Sequence, residues 1–249
     1  MTRRDGWGGI EGIVLDAVGT LIDPVPSVAE AYAAAAARQG LVVDVAEVKS
    51  RFREHFRNDE VDEQLGPMAT DEAIERRRWR RIVANVLPDL PDLDRGFAEL
   101  WDHFGRPEAW RCFPDVGPGL EALRGRGIPV RVASNFDGRL RAVAAGLPEL
   151  AGVVDTLVIS SEVGHRKPHP AFYAAACASL DLASDRVLCV GDDPENDVLG
   201  AERAGLRGVL LDRDGRRPAD LDWLPDLHAL ARALDKARGG MQPQGLGNG

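Results

Sequence analysis

Short apolar runs alternate with stretches of helical spacing over most of the chain. The apolar runs are Gly12–Leu15 and residues 128–133, 153–160, 186–190 and 208–211, and polar or glycine residues follow each of them. Runs of this length are typical of buried strands. The stretches 117–127, 138–146, 170–180, 195–204 and 225–238 have the spacing of helices. Because strands and helices alternate, we predict an α/β fold with a parallel sheet and right-handed crossovers.

The stretch between the first two apolar runs has a different pattern. Helical spacing recurs there in residues 27–38, 45–56, 70–86 and 94–104, and no strand is expected between Val25 and about Arg111. Ser27 with Glu30 forms a capping-box pattern, and Thr70 and Asp94 are the expected N-caps of later helices. We therefore predict a helical insert (residues 25–111) within an α/β core (residues 10–24 and 112–240). Residues 1–9 and 241–249 are predicted to be flexible termini.

Composition and charge narrow the function classes. The 249 residues are 44% hydrophobic and carry a net charge of −9, so nucleic acid is not an expected partner. The basic run at residues 76–81 is interpreted as the solvated face of a helix. Three widely spaced cysteines indicate neither a disulfide framework nor a zinc site. Since neither a signal peptide nor a membrane span is recognisable, we expect a cytoplasmic protein without a membrane partner. We expect it to be a monomer or a homodimer.

Polar side chains collect where the predicted strands end. They are Asp16 with Thr20, Ser134 with Asn135, Lys167 in the loop HRKPHP, and Asp192, Asp193 and Asp197 after the run at 186–190. Taken singly, each could be an ordinary cap or turn residue. The carboxyl ends of parallel strands share one edge of a sheet, however, and open α/β sheets bind ligands there. In this order, the residues predict one polar crevice.

Several carboxylates in one crevice repel one another unless a cation joins them. A hard ion with oxygen ligands, Mg²⁺ before others, suits such a set. Lys167 and Ser134 could then hold an anionic group that the metal also touches. A carboxylate nucleophile, a metal ion and groups that hold an anion are what displacement at phosphorus by an aspartate requires. We therefore expect a small-molecule anionic substrate.

Four motifs together resemble those of a known family. DAVGTL at residue 16, SN at 134, KP at 167 and GDDPENDVLGA at 191 are similar to the motifs of haloacid dehalogenase-like hydrolases. The helical insert resembles the helical (C1-type) cap of subfamily I of that family. The resemblance spans about residues 10–212. It implies a Rossmann-like parallel sheet core with helices on both faces plus an inserted all-helical cap.

The resemblance also implies roles for the polar residues. Asp16 would be the nucleophile that forms a covalent aspartyl intermediate, and Ser134 and Lys167 would complete the catalytic set. The transferred phosphate would contact Thr20, Ser134, Asn135 and Lys167. Within this set, Asn135 would act through its backbone amide, and Lys167 would neutralise the charge of the nucleophile and the phosphoryl group.

A metal site follows from the same resemblance. It implies that Mg²⁺ is held by Asp16, the backbone carbonyl of Val18, Asp192 and Asp197. Within this set, Asp197 would act mainly through water, and Asp193 would be an outer partner.

One position departs from the family pattern. Phosphatases of the family carry a second Asp two residues after the nucleophile, where this chain has Val18. That Asp is the general acid for the leaving alcohol, and a positioned general acid contributes about 10²–10⁴-fold. We therefore expect slow phosphomonoester hydrolysis, unless His55, His103 or a carboxylate of the insert supplies the proton or the leaving group needs none.

Four functions remain open from the sequence. The first is Mg²⁺-dependent, phosphatase-type hydrolysis of a small phosphorylated metabolite. The second is a metal-independent 2-haloacid dehalogenase, since a leaving halide needs no proton, although the acid-rich last motif would have no purpose there. The third is a catalytically weak binding or regulatory protein. The fourth is a phosphonate hydrolase, for which Lys49 is the candidate Schiff-base lysine.

Overall fold

The computed structural model describes residues 7–64 and 68–239. The predicted flexible termini lie outside these residues, except for residues 7–9. Those three residues form a turn of 3₁₀-helix, and Trp7 is buried in the core beneath the sheet. Burial of the large indole holds this part of the N-terminal segment in place.

A parallel sheet lies at the centre of the described residues. The strands are β1 (Gly12–Leu15), β2 (Ile22–Pro24), β3 (Trp110–Cys112), β4 (Val130–Ser134), β5 (Leu157–Ile159), β6 (Val187–Gly191), β7 (Arg207–Leu211) and β8 (Trp223–Leu224). Six of them form one sheet in the order β5-β4-β1-β6-β7-β8, and each neighbouring pair is parallel. Strands β2 and β3 pair antiparallel in a separate ribbon.

Helices cover both faces of the sheet. The helices are α1 (Val28–Ala37), α2 (Val45–Gln64), α3 (Glu72–Val86), α4 (Leu93–Phe104), α5 (Val116–Gly125), α6 (Arg139–Ala145), α7 (Ser160–Val163), α8 (Pro170–Leu180), α9 (Gly200–Arg203) and α10 (Leu227–Gly239). Ile13 and Leu15 of β1 pack in one cluster with residues of α5, α6 and α10. Val14 points to the other face, where it packs with α8. The predicted Rossmann-like α/β core with helices on both faces is thereby confirmed. In the part of the chain that the structure describes, no helix combines the length and the apolar character needed to cross a membrane.

Two predicted helix starts are shifted by one or two residues. Asp71, and not Thr70, caps α3 by accepting a hydrogen bond from the N–H of Ile74 at 2.6 Å. The Thr70 hydroxyl instead donates to the buried carboxylate of Glu75 at 2.7 Å. Helix α4 is capped by Asp92 in place of Asp94. Each helix begins at the residue whose side chain meets its free N–H groups, and neighbouring Asp and Thr residues look alike in sequence.

Three strand predictions needed correction. Strand β3 lies partly in the segment expected to lack strands, and β8 follows the run that was expected to be last. Both are too short to show a periodic pattern. The run at 153–160 contributes only residues 157–159 to the sheet, because 3₁₀-helix precedes them and α7 begins at Ser160.

Helices α1–α4 pack around a hydrophobic cluster of their own. Tyr32, Ile82, Val86, Phe97 and Leu100 are among its buried members. The capping box of α1 is present as predicted. These four helices lie between β2 and β3, so the antiparallel ribbon joins the two chain segments that enter and leave the helical region. The exact boundaries of core and insert stay a prediction.

The strand order decides where the polar residues meet. Strand β1 is paired with β4 on one side and β6 on the other. The chain leaves β1 at Asp16, β4 ends with Ser134, and Asp192 follows β6 directly. Three central strands therefore deliver their following residues to one crevice at the carboxyl edge of the sheet.

Candidate active site

The ammonium group of Lys167 lies between two carboxylates at this edge. Its Nζ donates to Asp16 Oδ1 at 2.7 Å, to Asp197 Oδ1 at 2.6 Å and to the carbonyl oxygen of Ala133 at 3.1 Å. Burial alone would lower the pKa of Lys167, but the charges of Asp16 and Asp197 outweigh it and raise that pKa well above its ordinary value. Lys167 is therefore a fixed cation in contact with Asp16.

Asp192 completes a cluster of three carboxylates. One oxygen from each of Asp16, Asp192 and Asp197 lies within 4.8 Å of the others. Burial raises the pKa of Asp192, and repulsion by Asp16 and Asp197 raises it further. Burial also raises the pKa of Asp197, although the Lys167 ammonium opposes this shift. With all three carboxylates ionised, these four side chains would carry a net charge of −2, and the raised pKa values of Asp192 and Asp197 reflect the cost of that excess.

This donor set fits Mg²⁺. All three donors are carboxylate oxygens, the class of ligand that Mg²⁺ prefers, and a divalent cation matches the excess charge. Asp16, Asp192 and Asp197 are the residues that could hold it. The Val18 carbonyl, which the resemblance adds to the ligands, stays a prediction. When bound, the ion supplies positive charge toward an anionic substrate.

The segment after β6 carries Asp193, which caps it, and Asp197, whose carboxylate it orients. Asp193 caps this segment by accepting hydrogen bonds from the N–H groups of Glu195 at 2.9 Å and Asn196 at 2.7 Å. Its own N–H donates to Asp197 Oδ2 at 3.1 Å, which fixes the orientation of that carboxylate. Residues Pro194–Leu199 form a π-helix where the sequence predicted an ordinary helix at 195–204. Such wide turns are common at functional sites, and the sequence carries no periodic signal for them.

Two glycines permit the close approach of these groups. Gly19 has φ +84°, and a Cβ at this position would lie 2.5 Å from Asp192 Oδ2. A Cβ on Gly191 would overlap the carboxylate of Asp197. Any larger residue at either position would displace one of the acids, so the backbone itself forms part of the crevice.

Ser134 ends β4 and Asn135 follows it, beside the acids. The Asn135 side chain clamps the backbone of Lys167, since Nδ2 donates to the Lys167 carbonyl at 2.9 Å and Oδ1 accepts from the Lys167 N–H at 2.7 Å. Its side chain is therefore committed to placing the lysine, and the predicted substrate contact falls to its backbone amide. Ser134 is buried and lines the cavity described below.

Thr20 and Val18 differ in position. The Thr20 side chain is buried, its hydroxyl points toward Asp192 Oδ1 at 3.4 Å, and its carbonyl accepts from Arg213 at 2.7 Å. Thr20 is not among the described residues that line the cavity, and its phosphate contact stays a prediction. Val18 does line the cavity and gives it an apolar wall two residues from Asp16.

One cavity of about 350 Å³ joins the crevice to the helical region. Its acidic end is formed by Asp16, Asp192, Asp197 and Lys167. Its aromatic end is formed largely by α1–α4, which contribute Tyr32, Phe52, Phe56, Trp79, Phe97 and Trp101. Phe104, Trp110 and Phe136 continue the aromatic wall toward the sheet. The cavity therefore joins two chemically different surfaces.

The sequence analysis missed the aromatic end. A signal was present, because Phe52 and Phe56 on α2, and Phe97 and Trp101 on α4, are spaced four residues apart. That spacing also describes an ordinary buried helix face, so it does not distinguish a cavity from a core. By contrast, Lys49, His55 and His103, considered above as Schiff-base lysine and proton donors, are not among the described residues that line the cavity.

Comparison with known proteins places the chain in a family. A model of haloacid dehalogenase-like hydrolases matches residues 10–205. The chain belongs to the haloacid dehalogenase-like hydrolase family, and the prediction of an enzyme of this kind is confirmed. It is 28% identical over 233 residues to haloacid dehalogenase-like hydrolase domain-containing protein 3 of Danio rerio, covering 91% of this chain and 94% of that protein.

Two further similar proteins differ in the activity that their names give. Phosphoserine phosphatase of Thermus thermophilus is 33% identical over 155 residues, which cover 61% of this chain and 60% of that protein. The crystal structure of an L-2-haloacid dehalogenase superposes with a TM-score of 0.73 at 21% identity, covering 91% of this chain and 99% of that one. At that level of identity, the second likeness concerns the fold alone.

Proposed function

We propose that this hydrolase is a Mg²⁺-dependent phosphatase-type enzyme that transfers a phosphoryl group from a small substrate to Asp16 and then to water. The observation that carries the proposal is the contact of Asp16 with a buried ammonium inside an acidic cluster that has an excess of two negative charges. A nucleophilic carboxylate and a site for a divalent cation are the two requirements of this chemistry. The likeness to a phosphoserine phosphatase supports the same class of reaction.

The residues of the chain divide the work. Asp16 attacks phosphorus with a carboxylate oxygen, and the bond from phosphorus to the leaving oxygen breaks. Lys167 offsets the charge of both nucleophile and phosphoryl group, held in place by Asp197 and by the Asn135 clamp. Ser134 and the backbone amide of Asn135 bind phosphoryl oxygens at the end of β4. Water then attacks the aspartyl phosphate, which releases phosphate and restores Asp16.

Val18 affects both halves of this reaction. A second Asp at this position would protonate the leaving oxygen and, by microscopic reversibility, take a proton from the attacking water. Val18 can do neither. We therefore expect the aspartyl phosphate to accumulate when the leaving group is good, so that about one equivalent of product is released in a burst before slow turnover.

A 2-haloacid dehalogenase is the second candidate. The missing proton donor at Val18 and the apolar wall of the cavity favour it, because halide leaves without a proton. The excess negative charge of the acidic end opposes it, since both a haloacid and the leaving halide are anions. Halide release from 2-chloropropionate in the presence of EDTA would support this candidate over a phosphatase.

Trapping of the phosphorylated protein tests the proposal. Incubation with acetyl phosphate and Mg²⁺ should give a hydroxylamine-labile phosphoprotein, and EDTA should prevent it. Asp16→Asn should lower both labelling and turnover by about 10³-fold or more, because it removes the nucleophile. Asp155→Asn, an exposed aspartate outside the cavity, serves as the control. Labelling that persists in Asp16→Asn, or a protein silent toward acetyl phosphate, would contradict the proposal.

A further inference from the structure

The aromatic end of the cavity is built from an unusual share of the aromatic residues. The chain contains 14 aromatic residues, five Trp, two Tyr and seven Phe, and nine of them line this cavity. Such rings would ordinarily be spread through the cores of both regions. Their concentration around one space indicates that the space accepts an apolar group.

The rings that line the cavity contact one another in three groups. Phe52 stacks on Phe56 with centroids 5.5 Å apart and an interplanar angle of 16°, and Tyr32 meets Phe52 edge-on at 5.7 Å. On the sheet side, Trp110 contacts Phe136 at 5.9 Å. Offset and edge-on geometries are those that aromatic rings prefer. A planar ring of a substrate can extend this arrangement, whereas a flexible chain would lose rotational freedom without gaining ring contacts.

The charges along the cavity exclude a second anionic group. Among the described residues that line it, the cations are Lys167 and Arg139. Arg139 is paired with the buried Asp137 through two hydrogen bonds of 2.7 Å, and its guanidinium lies over the Trp101 ring at 3.4 Å. Asp23, which also lines the cavity, is paired with Arg111 at 3.3 Å and adds no positive charge that would attract a second anion. The organic part of the substrate should therefore be uncharged.

The wall near Asp16 limits the leaving group. By the family resemblance, Val18 stands at the sequence position of the proton donor that a strongly basic alkoxide needs, and it lines the cavity. An aryloxide is a far weaker base, since a phenol has a pKa of about 10. It can leave with its electron pair and take a proton from water afterwards. A phosphate ester of a phenol thus satisfies the apolar wall and the missing donor together.

We infer that the preferred substrates are phosphate monoesters of uncharged aromatic alcohols with one or two rings, an inference that rests on the proposed function. Asp16 forms a bond to phosphorus while the bond between phosphorus and the aryl oxygen breaks. The aryloxide leaves toward the aromatic end and is protonated by water. Hydrolysis of the aspartyl phosphate by a second water completes the balance as phosphate and the phenol. The volume of about 350 Å³ suits a ligand of this size.

A substrate series tests the inference on the full chain with Mg²⁺. The compounds are 1-naphthyl phosphate, 4-carboxyphenyl phosphate, hexyl phosphate and acetyl phosphate. The leaving groups of the first two compounds have similar basicity, but only the carboxyphenyl group is charged. The kcat/KM of the naphthyl ester should exceed that of the carboxyphenyl ester by about tenfold or more, because a carboxylate gains no partner in the apolar wall. Hexyl phosphate is apolar but leaves as a strong base, and it should be the poorest substrate.

A matched pair of variants locates the effect. Trp79→Leu removes one ring of the aromatic end and should lower the kcat/KM ratio of naphthyl to acetyl phosphate by about three- to tenfold. Trp223→Leu, at a half-buried indole outside the cavity, should leave that ratio as it is. Thermal unfolding of both variants checks that they fold.

The outcomes separate the inference from the proposed function. Turnover of acetyl phosphate without a preference for naphthyl over carboxyphenyl phosphate, or an unchanged ratio in Trp79→Leu, overturns the inference alone. Silence toward all four compounds overturns the proposed function and the inference with it. A preference for the naphthyl ester that Trp79→Leu weakens supports both.

Discussion

The two ends of the cavity are built on different principles. The acidic end is formed by the order of the strands, because β1, β4 and β6 are neighbours and the residues at their carboxyl ends meet. The aromatic end is formed by side chains of helices that are distant in sequence and pack together only in the folded protein. The first arrangement tolerates few changes, since Gly19 and Gly191 already touch its acids. The second can change ring by ring. We therefore expect chemistry and selectivity to be separable in this molecule.

After removal of the nucleophile Asp16, the largest effect should come from Asp192, also at the acidic end. Asp192→Asn removes a candidate metal ligand, and activity should fall by about 10²–10³-fold, because the ion contributes several kcal/mol of charge stabilisation. The same change relieves repulsion by Asp16 and Asp197, so the metal-free variant should unfold at a higher temperature than the wild type.

A readout independent of activity accompanies this prediction. Mg²⁺ should raise the unfolding midpoint of the wild type, because a ligand of the folded state stabilises it, and should fail to do so in Asp192→Asn. Asp155→Asn should respond to Mg²⁺ like the wild type. A wild-type midpoint that is insensitive to Mg²⁺ would contradict the assignment of the metal site.

The second effect concerns the contact between the helix α6 beside the sheet and the aromatic end of the cavity. Arg139 of α6 is bound to the buried Asp137, donates to the Trp101 carbonyl at 2.7 Å and stacks on its ring. Arg139→Ala leaves the Asp137 carboxylate without this partner, which should lower the free energy of unfolding by about 3–5 kcal/mol. Arg141→Ala, which breaks an exposed pair with Glu162 on the same helix, should cost at most about 1 kcal/mol. Denaturant titrations measure both, and equal losses would show that the contacts of Arg139 with Asp137 and Trp101 add no more stability than an exposed ion pair.

The third effect tests whether selectivity is also set at the boundary between the ends. Val18→Asp introduces a carboxyl group beside Asp16 and should raise turnover of hexyl phosphate by about tenfold or more, with a smaller gain for naphthyl phosphate. The difference arises because the alkoxide needs the proton and the aryloxide does not. Val18→Asn, of equal size but without a titratable proton, is the control. Equal gains on both esters would mean that the proton donor is not what separates them.

The contrast between the two ends also explains what the sequence could predict. Asp16 and Asp192 each follow a strand directly and Ser134 ends one, so a strand prediction and the rule for parallel sheets were enough to bring them together. The π-helix at Pro194–Leu199 and the short strands β3 and β8 left no periodic signal. Thr20 carries the right chemistry at the right place in the sequence, yet its hydroxyl donates to Asp192, and Thr20 is not among the described residues that line the cavity. The side-chain direction of a turn residue depends on contacts that local sequence does not contain.

The smallest effect concerns the support beneath the acidic end. Asp115 binds Arg213 at 2.9 Å, and Arg213 in turn donates to the Thr20 carbonyl beside Asp192. Burial works to raise the pKa of Asp115, but the hydrogen bonds from Arg213 and from the Leu227 N–H outweigh it and lower that pKa. A carboxyl group whose pKa is lowered by folding stabilises the protein above its unfolded pKa, and this contribution is lost as the pH falls through the folded value. The stability gap between wild type and Asp115→Asn should therefore shrink as the pH is lowered from about 7 to about 3. The effect should be smaller than that of Arg139→Ala, because Asn can still accept the Leu227 hydrogen bond and Arg213 keeps the Thr20 carbonyl and its place over the Phe113 ring. Urea titrations at several pH values measure it, and a gap that stays constant would show that the Asp115 charge does not support this end of the cavity.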